Sequence, residues 1–375
     1  MRLRVLLLGV MLATSSPALA QGTQWRIVEE LRIGSAEGGT AASFSSVGAL
    51  AVGPDGTIFV LDAPPLEVRS FDRSGRFLRV VARAGQGPGE LTRPSAMLFV
   101  GDSLWIIDPM ATRISVYGPD GTFARQLSRV LTWAPRWDGT IDRAGRVLDP
   151  IQVPNGRSEP KTGLPLSDTR LRRLARDGSI IDTVDFPACT SPRPGATTPR
   201  FAVAGTDGSI SVVTLLHVAT QQRAFDADGT LWCSPRDEYV AYRMEIGRRD
   251  TLRTIRRGGP GPAMPRAIRD SLVRRYSPRG ARVSATSFTE SMIPRNYPAI
   301  ADMRVDDSRR LWIRKTDTPA RAPVFDLFDR SGSHLGSVKA GFPIQGVPLL
   351  VGDVVYAITT NADDVPFVVR ARLER

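Results

Sequence analysis

Short apolar runs separated by turn residues recur along the whole chain, and long helical periodicity is nearly absent. For example, the runs Ala49–Val52 and Ile58–Leu61 flank a Pro-Asp-Gly turn at 54–56. Asp-Gly between apolar runs is a strong hairpin signal because both residues tolerate the positive backbone angles that such turns need. The pattern predicts an all-β protein built from antiparallel strands.

One motif occurs six times: a turn residue is followed three positions later by a bulky apolar side chain. These side chains are Phe59, Trp105, Leu148, Trp232, Trp312 and Tyr356. In five units a second turn follows, as at Asp72–Gly75 and Asp329–Gly332. A repeat of this kind indicates repeated supersecondary units. Each pair of turns marks four antiparallel strands, which we denote A to D in chain order.

The final unit has strand signals near 347–351, 354–359 and 367–373 but lacks a fourth strand. An unassigned strand at 25–33 precedes the first complete unit. Pairing this strand with the last unit removes both open edges. We therefore predict a six-bladed β-propeller of four-stranded antiparallel blades, closed by the N-terminal strand.

The prediction places one propeller domain over residues 21–375. Its approximate blade bounds are 45–83, 94–128, 133–186, 200–257, 298–339 and 345–375, the last together with 25–33. The segment 201–213 also fits an extra hairpin, which leaves the phasing of blades 3 and 4 around 187–218 open.

Strand B is a continuous apolar run in most units, as expected for a strand with both faces buried between blades. The recurrent rings are then core residues and not a ligand cage. Asp62, Asp108 and Asp149 recur at the ends of strand B. A repeated carboxylate is compatible with a metal site, but hydrogen bonding to turn amides explains the repetition better.

The unit Pro54–Asp62, the turn Phe71–Gly75 and the glycine-rich linker Gly85–Glu90 resemble bacterial exported six-bladed β-propellers of the NHL-repeat and TolB-like type. The resemblance covers the mature chain and implies the same fold. It does not carry an activity, because these propellers include both enzymes and scaffolds.

Two catalytic chemistries of similar propellers can be compared with the composition. Lyases of this architecture hold zinc with several histidines, whereas this chain has only His217 and His334, too few for a zinc site of clustered nitrogen ligands. Lactonases and esterases hold calcium in the central tunnel with Glu, Asn and Asp. The strand-A runs Ala49–Val52, Met97–Val100 and Val347–Val351 are almost wholly apolar, which argues against such a calcium site.

The first twenty residues are typical of a signal peptide. Arg2 and Arg4 precede the apolar run 6–12, and Ala18–Ala20 has the small residues of a cleavage site. The apolar run is too short to span a bilayer. We expect cleavage near Ala20 and a periplasmic or secreted protein without a transmembrane segment.

Net charge is +12, but only three of the 50 basic residues are lysines and the arginines are scattered. Nucleic acid is therefore not an expected partner. An exported chain permits a disulfide between its two cysteines, Cys189 and Cys233. The closed loop of about 43 residues would contribute roughly 4 kcal/mol in the chain-entropy model.

Chain direction places the B–C loops and D-to-A linkers on one face, which we call the upper face. The long insertions 154–168, 187–218 and 258–297 all belong to it, so we expect the binding surface there. Residues 265–276 are predicted to form a helix with Ile268, Leu272 and Tyr276 on one stripe. This helix is either a lid over the tunnel or, as we favour, packed with its stripe against the ring.

No catalytic triad, Cys–His pair or phosphate loop is recognisable. Asp363 and Asp364 are weak candidates for calcium. Other upper-face side chains are the candidate ligand contacts: Arg83, Gln86, Glu90, Arg113, Trp133, Arg157, Arg236 and Lys315.

These observations favour a monomeric, non-enzymatic binding or scaffold propeller without a cofactor, whose upper face holds a peptide, glycan or envelope protein. Two alternatives stay open. One is a lactonase- or esterase-like hydrolase with calcium in the tunnel, and the other is an envelope adhesion protein that binds anionic polymer.

Overall fold

The computed structural model describes residues 23–129, 137, 139–158, 165–186, 189, 200–204, 210–215, 217, 221–248, 250–276, 288–316 and 323–375. The expected signal peptide at 1–20 and Trp133 lie outside the described residues.

The N-terminal strand β1 is Thr23–Ile33. Blade 1 contains β2 (Val47–Val52), β3 (Ile58–Asp62), β4 (Glu67–Phe71) and β5 (Phe77–Arg83). Blade 2 contains β6 (Ala96–Val100), β7 (Ser103–Asp108), β8 (Arg113–Tyr117) and β9 (Phe123–Ser128). Blade 3 contains β10 (Thr140–Ile141), β11 (Val147–Ser158), β12 (Pro165–Leu174) and β13 (Ile180–Asp185).

A separate hairpin follows, formed by β14 (Arg200–Ala204) and β15 (Ile210–Thr214). Blade 4 contains β16 (Gln222–Phe225), β17 (Thr230–Ser234), β18 (Glu238–Glu245) and β19 (Thr251–Pro260). Helix α1 (Arg266–Tyr276) and a short 3₁₀ helix (Glu290–Met292) lie between blades 4 and 5. Blade 5 contains β20 (Ile300–Val305), β21 (Leu311–Lys315), β22 (Val324–Phe328) and β23 (His334–Ala340). Blade 6 contains β24 (Gln345–Val351), β25 (Val354–Thr360) and β26 (Pro366–Glu374).

Strand β1 closes the ring, as the sequence predicts. It pairs antiparallel with β26 from Arg26 opposite Glu374 to Ile33 opposite Val368. Its first residues also pair in parallel with β23, where Trp25 lies opposite Val338. The N-terminal strand therefore supplies the fourth strand of blade 6 and joins the outer edges of blades 5 and 6 into one eight-stranded sheet.

Six apolar clusters hold neighbouring blades together, one at each junction of the ring. In each cluster the repeated strand-B residue packs against the following blade. Phe59 contacts the cluster that contains Leu104 and Ile106 of blade 2, and Tyr356 closes the circle beside Ile58 and Val60 of blade 1. All six repeated side chains are at most 7% exposed, which confirms that they are core residues.

Blades 3 and 4 differ from the expected bounds. The β14–β15 hairpin pairs only with itself, so blade 4 begins at Gln222 and not near residue 200. In the expected loop 154–168, strands β11 and β12 continue as a long ribbon, with Pro154 opposite Ser167 and Ser158 opposite Pro165. Alternating sequence alone cannot distinguish blade strands from inserted hairpins. The predicted disulfide is present and joins Cys189 to Cys233 in β17.

The lower face consists of short turns closed by their own side chains. At the C–D turns, the carboxylate of Asp72 accepts a hydrogen bond from the Ser74 amide at 2.9 Å, and Asp329 accepts one from the Ser331 amide at 2.8 Å. At the A–B turns, Asp55 receives the Thr57 amide at 3.0 Å. These bonds satisfy turn amides locally and leave little loop length for a binding site.

An ion-pair network joins blades 4 and 5 at this lower face. Asp226 accepts two hydrogen bonds from Arg309, both at 2.8 Å. Asp228 pairs with Arg309, with Arg243 at 2.9 Å and with Arg330 at 2.8 Å. Burial raises the pKa of Asp228, but hydrogen bonds from Thr230 and the charges of Arg309 and Arg243 outweigh it and lower the pKa to about 2.

Truncating the closing strand tests the ring junction. Ile33→Ala should lower the free energy of unfolding by about 3 kcal/mol because Ile33 is 2% exposed in the cluster between blades 6 and 1. Val28→Ala is the matched control on the same strand, since Val28 is 39% exposed. Urea unfolding, followed by tryptophan fluorescence, measures the free energy of unfolding of both variants. Equal losses in the two variants would contradict the role of β1 in closure.

Acid titration tests the lower network. The pKa of Asp228 is lower in the folded state than its ordinary 3.8, so its stabilisation is complete above pH 3.8 and disappears as the pH falls to about 2. Asp228→Asn should therefore lower the free energy of unfolding by about 1–2 kcal/mol at pH 7. It should also weaken the dependence of that free energy on pH between about 2 and 3.8. Asp55→Asn is the control, because Asp55 caps the equivalent turn of blade 1 without the three arginines. If the free energy of unfolding changed with pH in the same way in both variants, the three arginines would not be the cause of the stabilisation by Asp228.

Candidate functional site

Two upper-face insertions pack together into a small raised unit above blade 4. Leu215, which follows the β14–β15 hairpin, shares an apolar cluster with Met264, Leu272 and Ile293 of the insertion between blades 4 and 5. The ring of His217 also lies 5.2 Å from that of Tyr297. We refer to Leu215, His217 and the described parts of 258–297 as the cap.

Backbone pairing fixes the two arms of the cap to each other and to the ring. The Met264 amide donates to the Arg295 carbonyl at 2.8 Å, and the Tyr297 amide donates to Pro262 at 2.9 Å. The Ala299 amide donates to the carbonyl of Arg236 in blade 4 at 2.7 Å. The cap is therefore a folded extension of the ring.

Helix α1 begins directly after Pro265, close to the predicted bounds, but its stripe packs differently from the favoured expectation. Leu272 is buried in the cap cluster, and the Tyr276 ring lies 6.0 Å from Phe288. Ile268, the third stripe residue, is 40% exposed. The helix thus packs on segments of the cap and not on strands of the ring, because the insertion supplies its own apolar partners.

A cavity of about 400 Å³ opens on the cap between α1 and the 3₁₀ helix. Six residues line it: Arg269, Glu290, Ser291, Ile293, Pro294 and Arg295. None of these six belongs to the set of candidate contacts predicted from sequence. One of them lies on α1 and five lie between 290 and 295, and only the folding of the insertion brings the two segments together.

The upper end of the tunnel wall carries a polar pair that the sequence reasoning missed. Gln222 at the start of β16 donates from Nε2 to Asp302 Oδ1 in β20 at 2.6 Å. Both lie on innermost strands, and Asp302 also lies near Gly346 of β24. The apolar strand-A runs considered from sequence belong to blades 1, 2 and 6. The A strands of blades 4 and 5 differ from them because each carries one member of this polar pair.

Arg113, Glu90 and Gln86 come together, but they build the linker between blades 1 and 2. Arg113 is 6% exposed and donates to the carbonyls of Gln86 at 3.1 Å and Glu90 at 2.6 Å. The Glu90 carboxylate turns back onto the Gly87 amide at 2.7 Å. Gly85 has a φ of +157°, a backbone conformation that residues with a side chain rarely adopt, which accounts for the glycine there. Arg83 is exposed at the end of β5.

The other described cations lie on separate blades. Arg157, on the blade 3 ribbon, pairs with Asp168 at 3.3 Å and its side chain is 69% exposed. Arg236 donates to the Ile300 carbonyl of blade 5 at 2.6 Å. Their separation means that the predicted contacts do not form one pocket.

Lys315 belongs to a buried polar cluster around Asp326, to which its Nζ lies at 3.1 Å. Asp326 also accepts hydrogen bonds from Tyr239 of blade 4 at 2.7 Å and Ser337 at 2.8 Å. Burial raises the pKa of Asp326, but these hydrogen bonds and the Lys315 charge outweigh it and lower the pKa. Burial and the Asp326 charge raise the pKa of Tyr239. Lys315 thus neutralises a carboxylate that links blades 4 and 5.

Two of the three strand-B carboxylates, Asp62 and Asp108, bind backbone amides of upper-face segments, as expected from the sequence. Asp62 accepts the amides of Ser45 and Ser46 at 2.9 and 2.8 Å. Asp108 accepts the amide of Thr92 at 2.8 Å. Asp149 instead faces side chains: Arg129 at 2.9 Å, Arg172 at 2.7 Å and the Trp137 indole at 2.8 Å.

Asp363 and Asp364 lie in an exposed turn organised by Asn361. The Asn361 side-chain oxygen accepts the amides of Asp363 at 3.0 Å and Val365 at 2.9 Å. Within the described part of the chain, no three His, Cys, Asp or Glu side chains are grouped closely enough to hold a metal ion.

Comparisons with known proteins agree with the architecture. The family model DUF5128, described as a 6-bladed beta-propeller, matches residues 44–130. A solved structure of a DUF4221 family member from Bacteroides vulgatus is 9% identical, covers 94% of this chain and 99% of that one, and has a TM-score of 0.50. No curated protein matches this sequence. The chain is a six-bladed β-propeller.

Two further solved structures are similar at a lower level. A Bacteroides fragilis protein described as exported is 14% identical, over 94% of this chain and 96% of that one, with a TM-score of 0.49. The calcium-binding protein regucalcin from Agrobacterium tumefaciens is 11% identical, over 93% and 96%, with a TM-score of 0.43. At these identities the likeness concerns the fold alone. Over the described residues, no helix has the length and apolarity to cross a bilayer.

Substitution of Asp149 separates a structural carboxylate from a metal ligand. Asp149→Asn should destabilise the protein by about 3–5 kcal/mol because it leaves the buried guanidinium groups of Arg129 and Arg172 without their counter-charge. Asp168→Asn is the control on the same blade, since its exposed pair with Arg157 is worth less than about 1 kcal/mol. Urea unfolding with and without calcium is the measurement. A calcium-dependent gain in wild-type stability that Asp149→Asn abolishes would show a metal role instead.

Proposed function

We propose that this protein is an exported, monomeric binding propeller whose upper face holds a peptide, glycan or protein partner. The observation that carries the proposal is the one-sided elaboration of the ring. The cap and the β11–β12 ribbon both extend from the upper face, whereas the lower turns are short and closed by their own carboxylates. Binding surfaces are usually built from extended loops on a rigid scaffold.

The N-terminal segment and the disulfide support export. Residues 1–20 have the charge and apolar pattern of a signal peptide. The bond between Cys189 and Cys233 is of a kind that persists in oxidising compartments. We place the protein in the periplasm or outside the cell.

Several arginines are built into the ring and are not available to an anionic polymer or to nucleic acid. Arg69, Arg113, Arg129, Arg172 and Arg243 are each less than 10% exposed and engage carboxylates or backbone carbonyls. These five of the 50 basic residues therefore serve the ring itself. A steep salt-dependent attraction to polyanions needs exposed cations instead.

Site-specific photo-cross-linking tests the upper face in the cell envelope. A benzophenone amino acid replaces Ile268 on the cap, which is 40% exposed, or Leu78 near the lower rim of blade 1, which is 45% exposed. We expect discrete cross-linked products from position 268 and only background from position 78. Protease and glycosidase digestion of the products identifies the partner class. Equal labelling from both positions, or none from position 268, would overturn the proposal.

A further inference from the structure

The cap cavity has an excess of positive charge. Two guanidinium groups, Arg269 and Arg295, share its lining with one carboxylate, Glu290. Its volume of about 400 Å³ lies within the ~300–1,000 Å³ typical of small-ligand sites. A ligand that balances these groups carries one negative charge.

Arg269 has an unused hydrogen-bond donor. Its Nε atom is shielded from solvent and has no hydrogen-bond partner among the described residues. A buried donor without a partner is destabilising. Arg269 lies on α1, one turn before Leu272, which is buried in the cap cluster. The Nε donor is thus held on a helix packed against the cap cluster without an acceptor among the described residues, and a carboxylate bound to the guanidinium with fork geometry could supply one.

The rest of the lining suits a peptide end. The half-buried Pro294 provides apolar surface, whereas Ile293 also lines the cavity but is only 3% exposed. The exposed side chains of Glu290 and Ser291 supply acceptors for a backbone N–H. Such a site needs three parts. They are a cation for the terminal carboxylate, an acceptor for the amide and an apolar surface for the last side chain.

We propose that the cap cavity binds the free C-terminal carboxylate of a peptide with an apolar last residue. Arg269 and Arg295 hold the carboxylate, Glu290 accepts the N–H of the last residue, and Pro294 contacts its side chain. This inference rests on the proposed binding function of the upper face and names its partner class.

The probe is a fluorescein-labelled Ala-Ala-Ala-Leu peptide with a free carboxylate, compared with its C-terminal amide by fluorescence anisotropy. We expect the acid to bind the mature protein at least tenfold more tightly than the amide. Arg269→Gln should remove this difference, and Arg269→Lys should restore part of it because it keeps the charge without the fork. Arg266→Gln is the matched control on the same helix, since the Arg266 side chain is 93% exposed. Its affinity for the free-acid peptide should stay within twofold of that of the wild type. Circular dichroism confirms that each variant is folded.

Equal affinity for acid and amide, or equal effects of Arg269→Gln and Arg266→Gln, would overturn the inference. Competition by free leucine as strong as that by the peptide would overturn the peptide assignment. If the acid fails to bind while position 268 still cross-links, only this inference fails. If the acid binds while position 268 gives no product, the proposed macromolecular partner fails instead.

Discussion

Apolar packing between neighbouring blades is the interaction on which the rest of the structure depends. Each blade buries one repeated side chain against the next, from Phe59 beside blade 2 around to Tyr356 beside blade 1. A four-stranded sheet with both faces apolar would expose too much surface by itself, so every blade needs two neighbours. The closed ring meets this need without exception, and it provides the fixed base from which the cap and the ribbon extend.

Repetition explains how much of this could be predicted from sequence. The number of blades and the buried rings follow from a motif that recurs at equivalent positions, and the closing strand follows from the one unit that lacks a fourth strand. The predicted start of blade 4 was wrong because the β14–β15 hairpin has the same alternation of apolar runs and turns as the strands of a blade. Its exclusion from blade 4 depends on pairing partners far along the chain.

The candidate site was less predictable because side chains on loops do not reveal their partners. Arg113 and Glu90 have the charge expected of ligand contacts, yet they organise a linker through backbone carbonyls and amides. Gln222 and Asp302 lie far apart in sequence and meet at the tunnel wall. The cap cavity likewise combines a helix with a segment that follows it, and no short motif connects the two.

The double pairing of β1 has a consequence for biogenesis. Strand β1 is made before both of its partners, β23 and β26, from which it is separated by about 300 residues of chain. Contacts of such high sequence separation form slowly, because the intervening chain must first be brought together. Blades 1 to 4 can form from neighbouring strands as they are made, but β1 must wait without its partners until blades 5 and 6 have followed. Protection of β1 by a chaperone during that interval would suit a chain of this order.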